Sequence, residues 1–175
     1  LRALAQRAGA TLYMTLLAAF DILLARYSGQ TDIAVGSPIT TRDRADLEEV
    51  TGCFVNMLVM RTDLSGDPRF DELLARVREN CLGAYVHKEL PFDMLVQQMA
   101  PDRSLDRNPL FQVGFGLQSA PRHELAIGAV PARMEAVGTH TAKFDLELSM
   151  DEDGAVVEAR LEYDADLFDA QTIER

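Results

Sequence analysis

Residues 110–118 alternate strictly: Phe111, Val113, Phe115 and Leu117 fall on one side, and Gln112, Gly114, Gly116 and Gln118 on the other. A period of two defines a strand with one large apolar face, and glycines on the opposite face let another backbone or a ligand come close. This strand ends the segment from 86 to 118, VHKELPFDMLVQQMAPDRSLDRNPLFQVGFGLQ, in which proline marks two entries. Leu90-Pro91-Phe92-Asp93 reads as a helix entry and Arg107-Asn108-Pro109-Leu110 as a strand entry. The polar loop between them, Pro101-Asp102-Arg103-Ser104-Leu105-Asp106, is rich in arginine and aspartate and held by proline, which suits the wall of a substrate passage.

The remaining periodicities alternate between helix and strand. Residues 1–8 suit a short helix ended by Gly9, and Thr11 can cap a second helix in which Leu12, Leu16, Phe20, Leu23, Leu24 and Tyr27 form the apolar stripe, widened by Leu17. Residues 32–36 read as a short buried strand stopped by Pro38, and residues 40–49 as polar loop or frayed helix. A strand follows over 54–61, with Phe54, Asn56, Leu58 and Met60 on one face. Asp67-Pro68 predicts a helix start with a capping carboxylate, and Phe70, Leu73, Leu74, Val77, Cys81 and Tyr85 its apolar stripe. A shorter helix over 91–99 buries Phe92, Leu95, Val96 and Met99.

Beyond residue 118 the signals weaken, with one strand expected near 132–136. A hairpin is then clear: Phe144, Leu146, Leu148 and Met150 alternate inward, Asp151-Glu152-Asp153-Gly154 turns, and Val157, Ala159, Leu161 and Tyr163 return, leaving Glu158, Arg160 and Glu162 wet. Asp169 can cap a last helix. Helices alternating with strands early and a meander late give an α/β fold, a mixed β-sheet covered by helices.

The 175 residues, 47% of them hydrophobic, suffice for one sizeable core. A net charge of −11, from 17 basic and 28 acidic residues, argues against nucleic acid as a partner. No apolar run reaches the about 20 residues of a membrane span, so neither a membrane nor export is expected, and the cytoplasm is the default location. Cys53 and Cys81 are read as buried, reduced core residues, and no Cys/His cluster suggests a metal. The chain opens inside one apparent helix and stops as another begins, so it is expected to be a piece of something longer.

Chemistry-bearing residues are few. His87, His123 and His140 are isolated from any serine or cysteine at a telling spacing, so no nucleophile triad is legible. His87 sits at a helix C-terminus, where it either answers the dipole or lines a site; His123 and His140 read as loop surface. Glu48-Glu49 and Asp151-Glu152-Asp153 lie in turns with no apolar pocket to raise a carboxyl pKa. Asn56 interrupts an apolar strand, so its amide either ties a neighbouring loop, the reading we favour, or faces a polar cavity. Asn108, held extended by Pro109, either lines a site or fixes the loop. Arg42 and Arg44 are candidates for local contacts.

Three segments together resemble a known family. Residues 51–61 (TGCFVNMLVMR), 87–93 (HKELPFD) and 103–110 (RSLDRNPL) are similar, in order and spacing, to three late core motifs of nonribosomal peptide synthetase condensation domains. The flanks agree, from Arg26-Tyr27-Ser28-Gly29-Gln30 to the tail running from Phe144 to Phe168. Cys53 and Met57 stand where a bulkier or aromatic residue and a threonine would be expected. The asparagine at 56 and the Asn-Pro-Leu-Phe-Gln run favour condensation over the sister epimerization and heterocyclization domains.

The resemblance implies a chloramphenicol acetyltransferase-like fold of two lobes, of which residues 1–175 match the C-terminal one. The His-His-x-x-x-Asp-Gly motif of the N-terminal lobe does not occur in these residues, so this piece alone is expected to be inactive. The implied reaction is amide formation between a donor aminoacyl or peptidyl thioester and an acceptor aminoacyl thioester, both carried on the phosphopantetheine arms of carrier proteins. The implied partners are the N-terminal lobe, the upstream and downstream carriers and an adjacent adenylation domain, with no cofactor or metal bound directly. By position, Asn108 faces the channel, with Asn56 and His87 as further candidates, while Arg103, Arg107 and Asp106 fix the loop or the interface. Residues 119–141 would include a segment crossing to the other lobe, and residues after Pro38 are a candidate second crossing. The alternative is a non-catalytic condensation-like module that recruits a tailoring enzyme or a carrier protein.

Overall fold

The computed structural model describes residues 1–99, 107–119, 125–128, 130–132, 138, 140–154 and 156–175. The chain forms two units, Leu1–Phe115 and Gly116–Arg175. Arg103, Asp106 and His123 lie outside the described residues.

In the first unit, α1 (Arg2–Arg7) leads into α2 (Leu12–Ser28). Thr11 caps α2 as its sequence indicates, its Oγ1 accepting from the Met14 N–H at 3.2 Å, and Gly29 closes the helix at φ 72°. The buried stripe differs from the expected one. Met14, Leu17, Ala18 and Phe20 are buried together with Thr15 and Asp21, while Leu23 and Tyr27 are 50% and 67% exposed. Two polar residues in the buried face, Thr15 and Asp21, disguised it as a wet one in the apolar pattern.

β1 (Asp32–Thr40) pairs antiparallel along its whole length with β2 (Val55–Asp63), from Asp32 opposite Asp63 to Thr40 opposite Val55. Pro38 therefore does not stop the strand. The Thr41 N–H bonds to Phe54 O and the Thr31 carbonyl accepts from Leu64, so odd-numbered residues face β2. The missing N–H of Pro38 points to the other edge, past the short parallel ladder in which Val35 and Gly36 oppose Val113 and Gly114 of β3 (Val113–Gln118).

α3 (Phe70–Val86) buries Leu73, Leu74, Val77 and Cys81, four of the six positions expected of it. It starts later than Asp67-Pro68 suggested. Asp67 has a φ of 49°, unlike the extended backbone of a capping residue, and the first turn is closed instead by the Arg69 N–H donating to Glu72 at 2.9 Å. α4 (Phe92–Met99) buries Val96 but leaves Met99 68% exposed at its end.

Phe115 anchors this core with no exposed surface. Its ring lies 5.3 Å from that of Tyr13 and 5.6 Å from that of Phe20. The Tyr13 hydroxyl donates to Ser37 Oγ at 2.8 Å, and that hydroxyl donates to Phe115 O at 2.7 Å, joining α2, β1 and β3. Asp21 is fully buried, and both its oxygens lie without a hydrogen-bond partner among the described residues. Burial pushes its carboxyl up to about 7, and the neighbouring Thr62 hydroxyl only partly offsets this. Cys81 is buried, its thiol pushed up to about 12 by desolvation, but Cys53 is exposed, contrary to the core role expected of both.

In the second unit, β4 (Leu125–Ile127) and β5 (Val130–Ala132) form a small antiparallel pair where a single strand near 132–136 was expected; residues 133–136 lie outside the described residues. β6 (Leu146–Asp153) and β7 (Val156–Tyr163) form the long hairpin, with Leu146 opposite Tyr163, Leu148 opposite Leu161 and Met150 opposite Ala159. Its turn comes later than the acidic run implied, because Asp151, Glu152 and Asp153 all belong to the ladder and Gly154, at φ 57°, takes the left-handed position. Asp169 precedes α5 (Ala170–Ile173), but its side chain makes no capping bond. The sheet of the first unit is mixed, β1 pairing antiparallel with β2 and parallel with β3, and the boundary between the units falls within β3. This is the mixed α/β sheet with helices that the sequence predicts.

Candidate functional site

Three of the segments singled out in the sequence converge in the first unit. Asn56 lies near the start of β2, half-buried, on the face it shares with Leu58, Met60 and Thr62. Its amide is fully engaged with the connection between α3 and α4. Nδ2 donates to Lys88 O and to Leu90 O, each at 2.8 Å, and Oδ1 accepts from the Phe92 N–H at 3.2 Å. The polar interruption of the strand is therefore a loop tie, one of the two alternatives open in the sequence.

The tied connection is fastened from a second side. Lys88 Nζ donates to Asp43 Oδ1, joining it to the loop that follows β1. That loop is itself folded around Arg42, whose guanidinium donates to Leu47 O and Gly52 O and lies 4.1 Å from the Phe54 ring centroid. Arg44 pairs with Asp46 at 2.7 Å on the surface. Between these residues the chain makes one short 3₁₀ turn, Ala45–Leu47.

On the far side of the connection, the Phe92 ring packs on Phe111 at 5.6 Å between centroids. Phe111 is buried over Gly36 of β1, so closely that a Cβ at position 36 would lie 2.0 Å from the ring. Pro109 and Leu110 link Phe111 to Asn108, whose carbonyl accepts from Gln112 Nε2 at 2.9 Å. Asn108 is half-buried and Arg107 exposed.

His87 occupies the C-cap of α3, as its position in the sequence indicates. Its N–H bonds to Ala84 O and its carbonyl accepts from Leu90, while the residue remains exposed. His140 is an exposed residue with a φ of 55°. The described residues contain no group of three or more His, Cys, Asp or Glu side chains able to hold a metal. The cluster thus offers amide, aromatic and cationic groups on a well-fastened frame. Asp43, Gly36 and Phe111 went unread as site residues. Lys88 alone carried a signal, being one of the chain's two lysines.

The condensation domain model matches residues 1–175, the whole chain. The chain belongs to the condensation domain family. It is 49% identical over 177 residues to one of the linear gramicidin synthase proteins of Brevibacillus parabrevis, and 44% identical over 178 residues to tyrocidine synthase 3 of the same organism. Each alignment covers 100% of this chain but only 2% and 3% of those synthases, respectively. Among solved structures, the X-domain in complex with OxyB from teicoplanin biosynthesis superposes with a TM-score of 0.86 at 32% identity, covering 99% of this chain and 39% of that one. A four-domain nonribosomal peptide synthetase bound to AMP and glycine shares the fold, with a TM-score of 0.87 at 23% identity over 98% of this chain and 14% of that one. The fold is that of condensation domains, the chloramphenicol acetyltransferase-like type the resemblance implied.

Proposed function

We propose that residues 1–175 form the C-terminal lobe of a condensation domain that makes amide bonds in nonribosomal peptide biosynthesis. The observation that carries this reading is the family match along the whole chain, with 49% identity to a linear gramicidin synthase protein. The acceptor amine attacks the donor thioester carbonyl, the carrier thiol leaves, and the proton lost by the amine passes to a base. In the family this chain resembles, that base is a histidine of the His-His-x-x-x-Asp-Gly motif in the N-terminal lobe; the motif does not occur in residues 1–175, so this chain alone is inactive.

In this reading Asn108 lines the passage for the phosphopantetheine-borne substrates, its amide able to donate to a carbonyl or accept from an amine. His87 flanks the same passage, and Arg103, Asp106 and Arg107 hold its loop or the lobe interface. The partners are the N-terminal lobe, the upstream and downstream carrier proteins and an adjacent adenylation domain, in the cytoplasm. No helix among the described residues is long and apolar enough to cross a membrane.

The test compares the intact domain with this chain alone in dipeptidyl transfer between loaded carriers. Turnover by the isolated chain would refute the division of labour. In the intact domain, Asn108→Ala should cut turnover about tenfold with little change in melting temperature, the loss of about one hydrogen bond. A large fall in melting temperature would assign Asn108 to loop fixing. The likeness to an X-domain bound to OxyB supports a second reading, a non-catalytic module that recruits a tailoring enzyme. Binding of such an enzyme by an intact domain that shows no dipeptidyl transfer would favour it.

A further inference from the structure

We infer that Asn56 is a positioning residue that sets Asn108 through a relay of packed groups, an inference that rests on the proposed placing of Asn108 in the passage wall. Every link is local and direct. Asn56 fixes the backbone of residues 88–92 with both amide hydrogens and its oxygen, so the Phe92 N–H and the start of α4 have one position relative to β2. Phe92 transmits that position by ring contact to Phe111. Phe111 cannot retreat, because Gly36 lies directly beneath it with no room for even one added carbon. From Phe111 the chain reaches Asn108 in three residues, two of them Pro109 and Leu110, and the Gln112 side chain closes the turn onto the Asn108 carbonyl.

Proline at 109 fixes one torsion and restricts the backbone of Asn108, and the Gln112 bond to the Asn108 carbonyl closes the turn, so few torsions are left to absorb a displacement of Phe111 before it reaches Asn108. Lys88 and Asp43 brace the same connection from the loop after β1, which keeps the tied segment from swinging about Asn56. A side chain remote from the reacting atoms then controls the direction of one near them.

The test is amide hydrogen exchange on the intact condensation domain, comparing the parent with Asn56→Ala. Exchange should rise about tenfold at residues 88–95 and also at 110–113, with α1 unchanged. Unaltered protection at 110–113 would overturn the relay, whatever the domain's activity. In dipeptidyl transfer, Asn56→Ala should lower turnover with the apparent KM for the carriers unchanged, and should cost less than about twofold more in an Asn108→Ala background. An equal loss in both backgrounds would assign Asn56 a structural role only. Should Asn56→Ala fail to fold, Phe92→Leu removes the ring contact while keeping all three Asn56 bonds, and is read by the same criteria at 110–113. Should the parent show no transfer, the exchange data still decide the relay, and the amide-forming reading alone falls.

Discussion

Replacing Asp21 by asparagine should make the domain more stable at pH 8 and change it far less at pH 5. The carboxyl lies at 0% exposure, neither oxygen is hydrogen-bonded among the described residues, and burial raises it from an ordinary 3.8 to about 7. A carboxyl raised on folding is neutral in both states at low pH. As pH rises past 3.8 the unfolded chain ionises first, so stability falls until the folded carboxyl also ionises near 7, and is flat above that. The span corresponds to about 4 kcal/mol, of which about 2.5 kcal/mol is lost between pH 5 and pH 8.

Asparagine cannot ionise, so the variant should lack this slope. Both proteins would be unfolded in urea at pH 5, 6, 7 and 8, with the variant's gain read as a difference at each pH. The groups facing Asp21 limit rescue by rearrangement: Thr62 comes from β2 and Cys81 from α3, while Tyr13 lies on α2 itself, and none of them is a cation. A gain from Asp21→Asn that is the same at pH 5 and pH 8, or that runs the other way, would refute a neutral buried carboxyl.

Gly36→Ala would drive a Cβ to within 2.0–2.5 Å of the Phe111 ring, and should destabilise the domain by about 1–3 kcal/mol in denaturant titration. Thr11→Ala removes the side-chain acceptor for the Met14 N–H and should cost about 1 kcal/mol by the same measurement, with Thr11→Ser close to the parent. Under native conditions a thiol reagent should label Cys53 and spare Cys81; peptide mass spectrometry should find Cys81 labelled only after denaturation.

Helix and strand identities were legible wherever side-chain period and burial agree, as along α3 and the β6–β7 hairpin. They misled where one polar residue is buried or one apolar residue is not. Asp21 and Tyr27 exchange their expected places because the orientation of α2 is set by packing against α3 and β1, and local periodicity carries no record of those neighbours. Pro38 misread as a stop shows the same limit: its lost N–H matters only if a strand lies on that edge, which is a property of the sheet. In the site, Asn56 announced itself as a polar residue in an apolar strand. Gly36 and Phe111 did not, since 75 residues separate a contact that exists only after β1 and β3 are neighbours.

All three acceptors and donors that Asn56 uses on its neighbour are main-chain atoms. The amide therefore recognises a path of backbone and is blind to the side chains mounted on it. Residues 89 and 90 can exchange their side chains without touching the tie, as long as the backbone still follows that path. Such a fixing point separates what must stay constant from what is free to diversify: the curve of the segment is written once, at position 56, and the chemistry displayed along it can be rewritten residue by residue.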